Sequence, residues 1–184
     1  VTIYTTLVSF VLVLIFGLVA GLGRISKNKL LNGAATVYVE LVRGIPLLVQ
    51  LMFWYFAFPS VIQSLGDFLT LESLSNYRAN PILMAIIGLT FCYAAYMSEV
   101  YRAGIQSISK GQMEAARSLG MNYFQSMRFV ILPQAIRVIL PPVGNEFITL
   151  LKDSSLVSVV AVADITRRGR EFMAANFIPI QTWV

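Results

Sequence analysis

Histidine is absent from this sequence of 184 residues, and cysteine occurs once, as Cys92. The lack of histidine removes the commonest metal ligand and the usual acid–base group at neutral pH. A single cysteine within an apolar run excludes both a disulfide inside the chain and a thiolate metal cluster. We therefore expect neither a metal site nor a catalytic residue in this chain.

Charged residues are also scarce, at 12% of the sequence, and the phosphate-loop pattern G-x-x-x-x-G-K-[ST] does not occur. Without that loop the chain is not expected to hydrolyse ATP. The only local pairing of a serine with a lysine is KDSS at residues 152–155, which we interpret as a polar break after an apolar segment. The net charge of +5 does not indicate nucleic-acid binding, because the basic residues lie at the ends of apolar runs.

Hydrophobic residues dominate what remains, at 57% of the sequence with a mean hydropathy of +0.73. A soluble domain of this size needs fewer for one core, so we predict an all-α polytopic membrane protein. About 20 apolar residues cross a bilayer as a helix. The predicted spans are residues 1–23, 44–65, 79–98 and, less clearly because of its prolines, 134–151. The apolar run 154–163 is too short to cross and is expected to be re-entrant or interfacial.

The basic residues of the short loops predict the orientation. Arg24, Lys27 and Lys29 follow the first span, whereas the loop after the second span contains Asp67 and Glu72. The positive-inside rule then places the first loop in the cytoplasm and the N-terminus outside. The basic run at residues 167–170 would lie outside, which this rule does not favour.

A short charged segment at residues 113–133, MEAARSLGMNYFQSMRFVILP, lies between two strongly apolar regions. Capping-box spacing at Ser109 with Gln112 and at Asn122 with Gln125 predicts helices that begin near residues 110 and 123. Gly120 suits the end of the first helix. An apolar stripe is predicted on the second helix, formed by Tyr123, Phe124, Met127, Val130 and Ile131. These features fit either an amphipathic helix on the lipid surface or a docking element for a cytoplasmic protein.

The same segment resembles the EAA loop of the membrane-spanning permease subunits of ATP-binding-cassette importers. The matching positions are Glu114, Ala115, Ala116, Gly120, Leu132 and Pro133. Val130 replaces the isoleucine that is usual at its position. The resemblance implies that a cytoplasmic loop at about residues 105–133 contains a coupling helix that docks on the ATPase subunit.

Two further stretches narrow the resemblance. VYVELVRGIPLLVQLMFWYF at residues 37–56 and LKDSSLVSVVAVADITRRG at residues 150–169 are similar to segments of the polar amino acid branch, which handles histidine, glutamate, glutamine, arginine and opines. The resemblance implies a type I importer permease fold, with one transmembrane domain over residues 1–184 and about five spans in the full subunit. We expect the fifth span to begin near the C-terminus and to be mostly missing.

What the resemblance implies about function is a subunit of the bacterial inner or plasma membrane that forms the path for an amino acid. Its partners would be two ATPase subunits, which hold ATP and magnesium, a second identical or related permease subunit, and an external binding protein. This chain itself would bind no cofactor. A membrane sensor or scaffold that uses the same loop for docking, without transport, remains the alternative.

Charged and small residues within the spans complete the predictions. Glu40 with Arg43, and Glu99 with Arg102, are spaced to form ion pairs on one helical face. Glu146, beside Asn145 in the fourth span, is too costly to leave in lipid and is expected to face the substrate path or an internal partner. The broken backbone predicted near Pro141 and Pro142 would line that path. Gly17 and Gly21 have the spacing of a helix-packing motif.

Overall fold

The computed structural model describes residues 1–160, 162–177 and 182, and all regular secondary structure in this part of the chain is helical. The α-helices are α1 (Thr2–Ile25), α2 (Lys29–Gly44), α3 (Leu47–Met52), α4 (Phe58–Phe68), α5 (Glu72–Ser75), α6 (Pro81–Gln106), α7 (Lys110–Ser118), α8 (Tyr123–Ser126), α9 (Leu132–Asp153) and α10 (Ile165–Asn176). Two π-helical turns, Phe53–Ala57 and Met127–Ile131, and a 3₁₀ segment, Ser154–Val160, connect some of them. The predicted all-α fold is confirmed.

Within the described residues, four helical segments are long and apolar enough to cross a bilayer. They are Thr2–Ile25, Leu47–Phe68, Pro81–Gln106 and Tyr123–Val160. Each contains or overlaps one predicted span, so the number and order of these spans agree with the sequence prediction. The boundaries differ most at the third and fourth segments.

The second span begins at Leu47, because a residue before proline is disfavoured in a helix and Ile45 precedes Pro46. The residues before this break form the separate helix α2. Glu40 and Arg43 therefore lie on α2, and not at the start of the second span. Their predicted ion pair is wrong: the Arg43 guanidinium lies 5.2 Å from the centroid of the Tyr96 ring, while Glu40 is exposed.

The π-helical turns each lie just before a proline. Phe58 donates its N–H to the carbonyl of Phe53, and Leu132 donates to that of Met127, five residues back in both cases. Pro59 and Pro133 follow directly. A proline ring in a regular α-helix clashes with the carbonyl four residues earlier, and the wider turn relieves this clash. The fourth segment consequently runs through Pro133 and already begins at residue 123, which corrects its predicted start at residue 134.

Pro141 and Pro142 do not break the fourth segment either. Helix α9 continues through both, so the predicted broken backbone is wrong. The carbonyls of Arg137 and Val138 nevertheless cannot receive the usual helical hydrogen bond, because the prolines four residues later have no N–H.

Contacts divide the chain into two compact units. One comprises Val1–Leu12, Gly44–Cys92 and Thr149–Val184, and the other comprises Val13–Arg43 and Tyr93–Ile148. We call them unit 1 and unit 2. The predicted single domain over residues 1–184 stays a prediction.

Unit 2 is held together by close contacts of small residues. A Cβ on Gly17 would lie 2.7 Å from Cβ of Met97, and one on Gly21 would lie 2.9 Å from the carbonyl oxygen of Ser98. The predicted packing role of both glycines is confirmed. From Gly17 to Gly21 on α1, the contacting residue on α6 changes from Met97 to Ser98, so the two helices run in the same direction. Their C-terminal ends therefore lie on the same side. The loop after α1 and the segment after α6 therefore share that side.

In unit 1 the side chain of Gln50 stabilises the break before α3, because its Nε2 donates to the carbonyl of Ile45 at 2.8 Å. The 3₁₀ segment packs against α3 with Val157 and Val160 fully buried, and its re-entrant or interfacial position stays a prediction. Asp164 caps α10 by accepting from the N–H groups of Thr166 and Arg167. The start of the expected fifth span falls at residues 178–184, almost all outside the described residues.

Candidate functional site

Helix α7 begins where the capping pattern predicts. The hydroxyl of Ser109 accepts from the backbone N–H of Gly111, at 3.3 Å. The Gln112 side chain does not complete a capping box in return; its oxygen accepts from Nε2 of Gln134, at 3.3 Å. This bond joins α7 to the first turn of α9.

The end of α7 is a Schellman motif. Gly120 donates to the carbonyl of Arg117, Met121 donates to that of Ala116, and Gly120 has a φ of +83°. These are the two hydrogen bonds that define the motif, and its positive φ is the conformation that glycine adopts most readily. The glycine predicted at this position therefore has a clear local role, which is to turn the chain sharply between α7 and α8.

Helix α8 starts with the predicted capping box. The Asn122 side chain accepts from the backbone N–H of Gln125, and the Gln125 side chain accepts from the backbone N–H of Asn122, both at 2.9 Å. From this cap the helix continues through the second π-helical turn into α9. We call residues 109–133 the docking segment.

The exposed face of the docking segment combines one acid with large apolar groups. Glu114 and Ala115 are exposed on α7. Leu119 is 81% exposed, and the rings of Tyr123 and Phe124 are exposed beside it. Ala116, in contrast, is buried within the chain, so only one alanine of the EAA pattern is available to a partner. A protein surface with a small apolar groove and a complementary base would fit this face.

The apolar stripe predicted for the second helix is split in the structure. Ser126, Ile131 and Ala135 are the buried positions, with spacings of five and four residues, and the five-residue step spans the π-helical turn. Tyr123 and Phe124 point away from that buried row. Leu132 and Pro133 are exposed at the junction with α9, where the π-helical turn ends, and their role in coupling stays a prediction.

A second candidate site is a cavity of about 410 Å³ in unit 2 that is widely open to the protein surface. Its walls come from α2, the second half of α6 and the middle of α9. The lining residues are Arg43, Tyr96, Glu99, Val100, Ala103, Gly104, Ser107, Val138, Pro142 and Glu146. Two acidic residues and one arginine therefore line the same cavity, whose wall is otherwise mostly apolar.

Glu146 lines this cavity and is half-buried, and its place on the substrate path stays a prediction. Its neighbour Asn145 is exposed and does not line the cavity. Consecutive residues of a helix point about 100° apart, which accounts for the difference. Val138, whose carbonyl lacks its helical partner, also lines the cavity.

Glu99 lines the same cavity and makes the most concentrated ion pairing in unit 2. Its carboxylate binds Arg24 at 2.5 Å and also binds Arg102. The predicted pair with Arg102 is confirmed, but spacing along one helix could not have revealed Arg24. Sequence reasoning also missed Arg43 and Tyr96 as cavity residues. Their only signal was a charge and an aromatic ring at the ends of predicted spans.

Comparison with known proteins identifies the family of this chain. Residues 13–183 match the family described as binding-protein-dependent transport system inner membrane component. The chain is 40% identical over 180 residues to an arginine transport system permease protein of Corynebacterium glutamicum, covering 97% of this chain and 57% of that protein. It is 38% identical over 170 residues to a glutamine transport system permease protein of Escherichia coli, covering 92% of this chain and 72% of that protein.

Two solved structures resemble this one. A crystal structure of an amino acid ABC transporter with histidines matches 99% of this chain and 78% of its own, with a TM-score of 0.85 and 36% identity. Inward-facing MetNI, a methionine ABC transporter, matches 93% of this chain and 76% of its own, with a TM-score of 0.69 and 22% identity. These matches agree with the type I permease fold expected from the sequence. The chain belongs to the family of binding-protein-dependent transport system inner membrane components.

Proposed function

We propose that this chain is the membrane-spanning permease subunit of an ATP-driven importer of amino acids. The observation that carries the proposal is the docking segment, a short helix closed by a Schellman motif that exposes Glu114 and a cluster of apolar side chains. It lies on the same side as the basic loop after α1. Relatives named as arginine and glutamine permeases support amino acids as the cargo.

The partners follow from this role. One ATPase subunit, with ATP and magnesium, binds each docking segment, so that a complex with two permease subunits contains two ATPase subunits. The second permease subunit is identical or closely related, and an external binding protein delivers the amino acid. The family's description as binding-protein-dependent supports that last partner.

Glu146 and the cavity form part of the substrate path in this proposal, with Asn145 on the neighbouring face of α9. A carboxylate in an apolar wall attracts the ammonium group that every amino acid has. Arg43 across the cavity offers the opposite charge to the carboxylate of the same molecule.

Glu146→Gln tests this path, because it removes the charge with little change in volume. We expect uptake of labelled amino acid to fall about tenfold, since an ammonium group loses its charged partner, while the complex still assembles. The assay is uptake of arginine, glutamine and cystine by vesicles that contain the full-length subunit with its partners. Glu72→Gln, on exposed α5, should transport like the wild type.

If Glu146→Gln transports all three amino acids with wild-type kinetics, Glu146 is not part of the substrate path. A wild-type complex that binds the ATPase but transports none of a wide amino acid panel would favour the sensor or scaffold alternative.

The proposed orientation places the docking segment in the cytoplasm and the N-terminus outside. In a Cys92→Ser background, Asp67→Cys should react in intact cells with a thiol reagent that does not cross membranes. Lys110→Cys should react only after permeabilisation. Both positions are exposed, whereas Cys92 is buried, so the introduced thiols give the signal. The reverse labelling pattern would contradict this orientation.

A further inference from the structure

Glu99 lines the cavity and lies two turns before the end of α6, the helix that leads to the docking segment. Its carboxylate binds Arg24 of α1 at 2.5 Å and Arg102 one turn further along α6. One carboxylate thus binds two guanidinium groups, and all three side chains belong to the apolar helical segments Thr2–Ile25 and Pro81–Gln106. Such a cluster is costly to assemble in an apolar setting, and it is sensitive to any further charge that enters.

Arg102 extends this cluster towards the docking segment. Its guanidinium donates to Glu99 through Nε and Nη2, and to the side-chain oxygen of Gln106 through Nη1. Gln106 is the last residue of α6, and α7 begins at Lys110. The planar fork of arginine therefore connects a cavity-lining carboxylate to the residue where α6 ends.

The other side of the cluster is fixed. Arg24 follows Gly21 on α1, where the backbone of Ser98 is in close contact, and the Arg24 carbonyl accepts from the Asn32 side chain. The Tyr101 hydroxyl also donates to the carbonyl of Leu14 at 3.3 Å. These contacts hold α1 against α6 on both sides of Glu99, so the bond from Arg102 to Gln106 is the polar connection that runs from Glu99 to the end of α6.

We propose that Glu99 is a positioning residue that communicates cavity occupancy to the docking segment through Arg102 and Gln106. This inference rests on the proposed transport function. An ammonium group in the cavity competes with Arg102 for the Glu99 carboxylate. The hydrogen bond from Arg102 to Gln106 then weakens, and the end of α6 and the start of α7 shift. This shift changes the contact of α7 with the bound ATPase subunit when substrate is present.

The experiment compares Glu99→Gln with the wild type in vesicles that contain the full-length permease, its ATPase subunits and its binding protein. The measured quantity is the number of labelled amino acid molecules transported per ATP hydrolysed, with arginine, glutamine and cystine as probes. We expect this ratio to fall about tenfold, within the range of ordinary allosteric coupling, and stimulation of ATP hydrolysis by substrate to be lost.

Glu171→Gln is the matched control. Glu171 also pairs with two arginines, Arg167 at 2.9 Å and Arg168 at 3.5 Å, but on α10 of unit 1. The same loss of one carboxylate should leave the ratio at its wild-type value there.

Gln106→Ala keeps the proposal testable if Glu99→Gln does not assemble. This side chain is exposed, so its removal should not prevent folding, and it cuts only the last bond of the connection. We expect about a fivefold fall in molecules transported per ATP, in keeping with the loss of one hydrogen bond to a charged group.

Wild-type ratios in both Glu99→Gln and Gln106→Ala would overturn the inference and leave the transport function standing. So would a parallel loss of transport and hydrolysis at a constant ratio, because that result indicates a merely structural role. A wild-type complex that transports no amino acid would instead refute the proposed function itself.

Discussion

Gly120→Val should uncouple ATP hydrolysis from transport. Valine is strongly disfavoured at a φ of +83°, and this strain costs on the order of 1–2 kcal/mol. A Cβ at this position would meet no atom within 4 Å, so the cost is conformational and not steric. The turn between α7 and α8 should distort, and co-purification of the ATPase should fall at least about tenfold.

Gly120→Asn is the control at the same site, because asparagine tolerates positive φ better than other residues. It should keep most of the ATPase binding. Glu114→Lys is an independent test, since it reverses the one acidic charge on the exposed face of α7 and should also abolish docking.

Normal ATPase binding and normal substrate-stimulated hydrolysis in both Gly120→Val and Glu114→Lys would contradict the proposal that the docking segment binds the ATPase subunit. A helix that only lies on lipid gives a different result. There, the added lysine would be neutral or favourable towards anionic headgroups.

Gly17→Ala should destabilise the protein, although alanine is the better helix former. The new Cβ would lie 2.7 Å from Cβ of Met97, which itself cannot rotate away. Forcing a methyl group into such a contact costs about 1–3 kcal/mol. The measurement is the unfolding free energy in mixed micelles, and Gly17→Val should be more severe than Gly17→Ala.

Gly33→Ala is the matched substitution on α2, where a Cβ would meet no atom within 4 Å. It should stabilise the protein by about 0.5–1 kcal/mol, because alanine loses less backbone entropy than glycine in a helix. Equal effects at the two positions would contradict the close contact of α1 with α6.

The parts of the structure that follow from local sequence were predictable. Apolar length located the four spans, and the Asn122–Gln125 capping box and the Gly120 turn followed from residue types at fixed spacing. Such features depend on neighbours within one or two helical turns, which the sequence displays directly.

The features that the sequence did not reveal depend on the rotation of helical faces and on contacts between residues far apart in the chain. The π-helical turn before Pro133 shifts the helical face by one residue, so a regular period placed Ile131 on the same stripe as Tyr123. Arg24 and Glu99 are 75 residues apart, and no spacing rule connects them. The sequence prediction missed helix α2 because Lys29, Glu40 and Arg43 exclude it from the uncharged run at residues 44–65. Only Pro46 marks the boundary between α2 and the span.

The uninterrupted helical segment Tyr123–Val160 has a mechanical consequence. At a rise of about 1.5 Å per residue, Tyr123 and Glu146 lie about 35 Å apart along one rod. In the proposed complex, an ATPase subunit bound at Tyr123 would therefore act on the same continuous helical segment that carries Glu146. A tilt of this segment at the docking end would displace one wall of the cavity directly, with no loop between the two places.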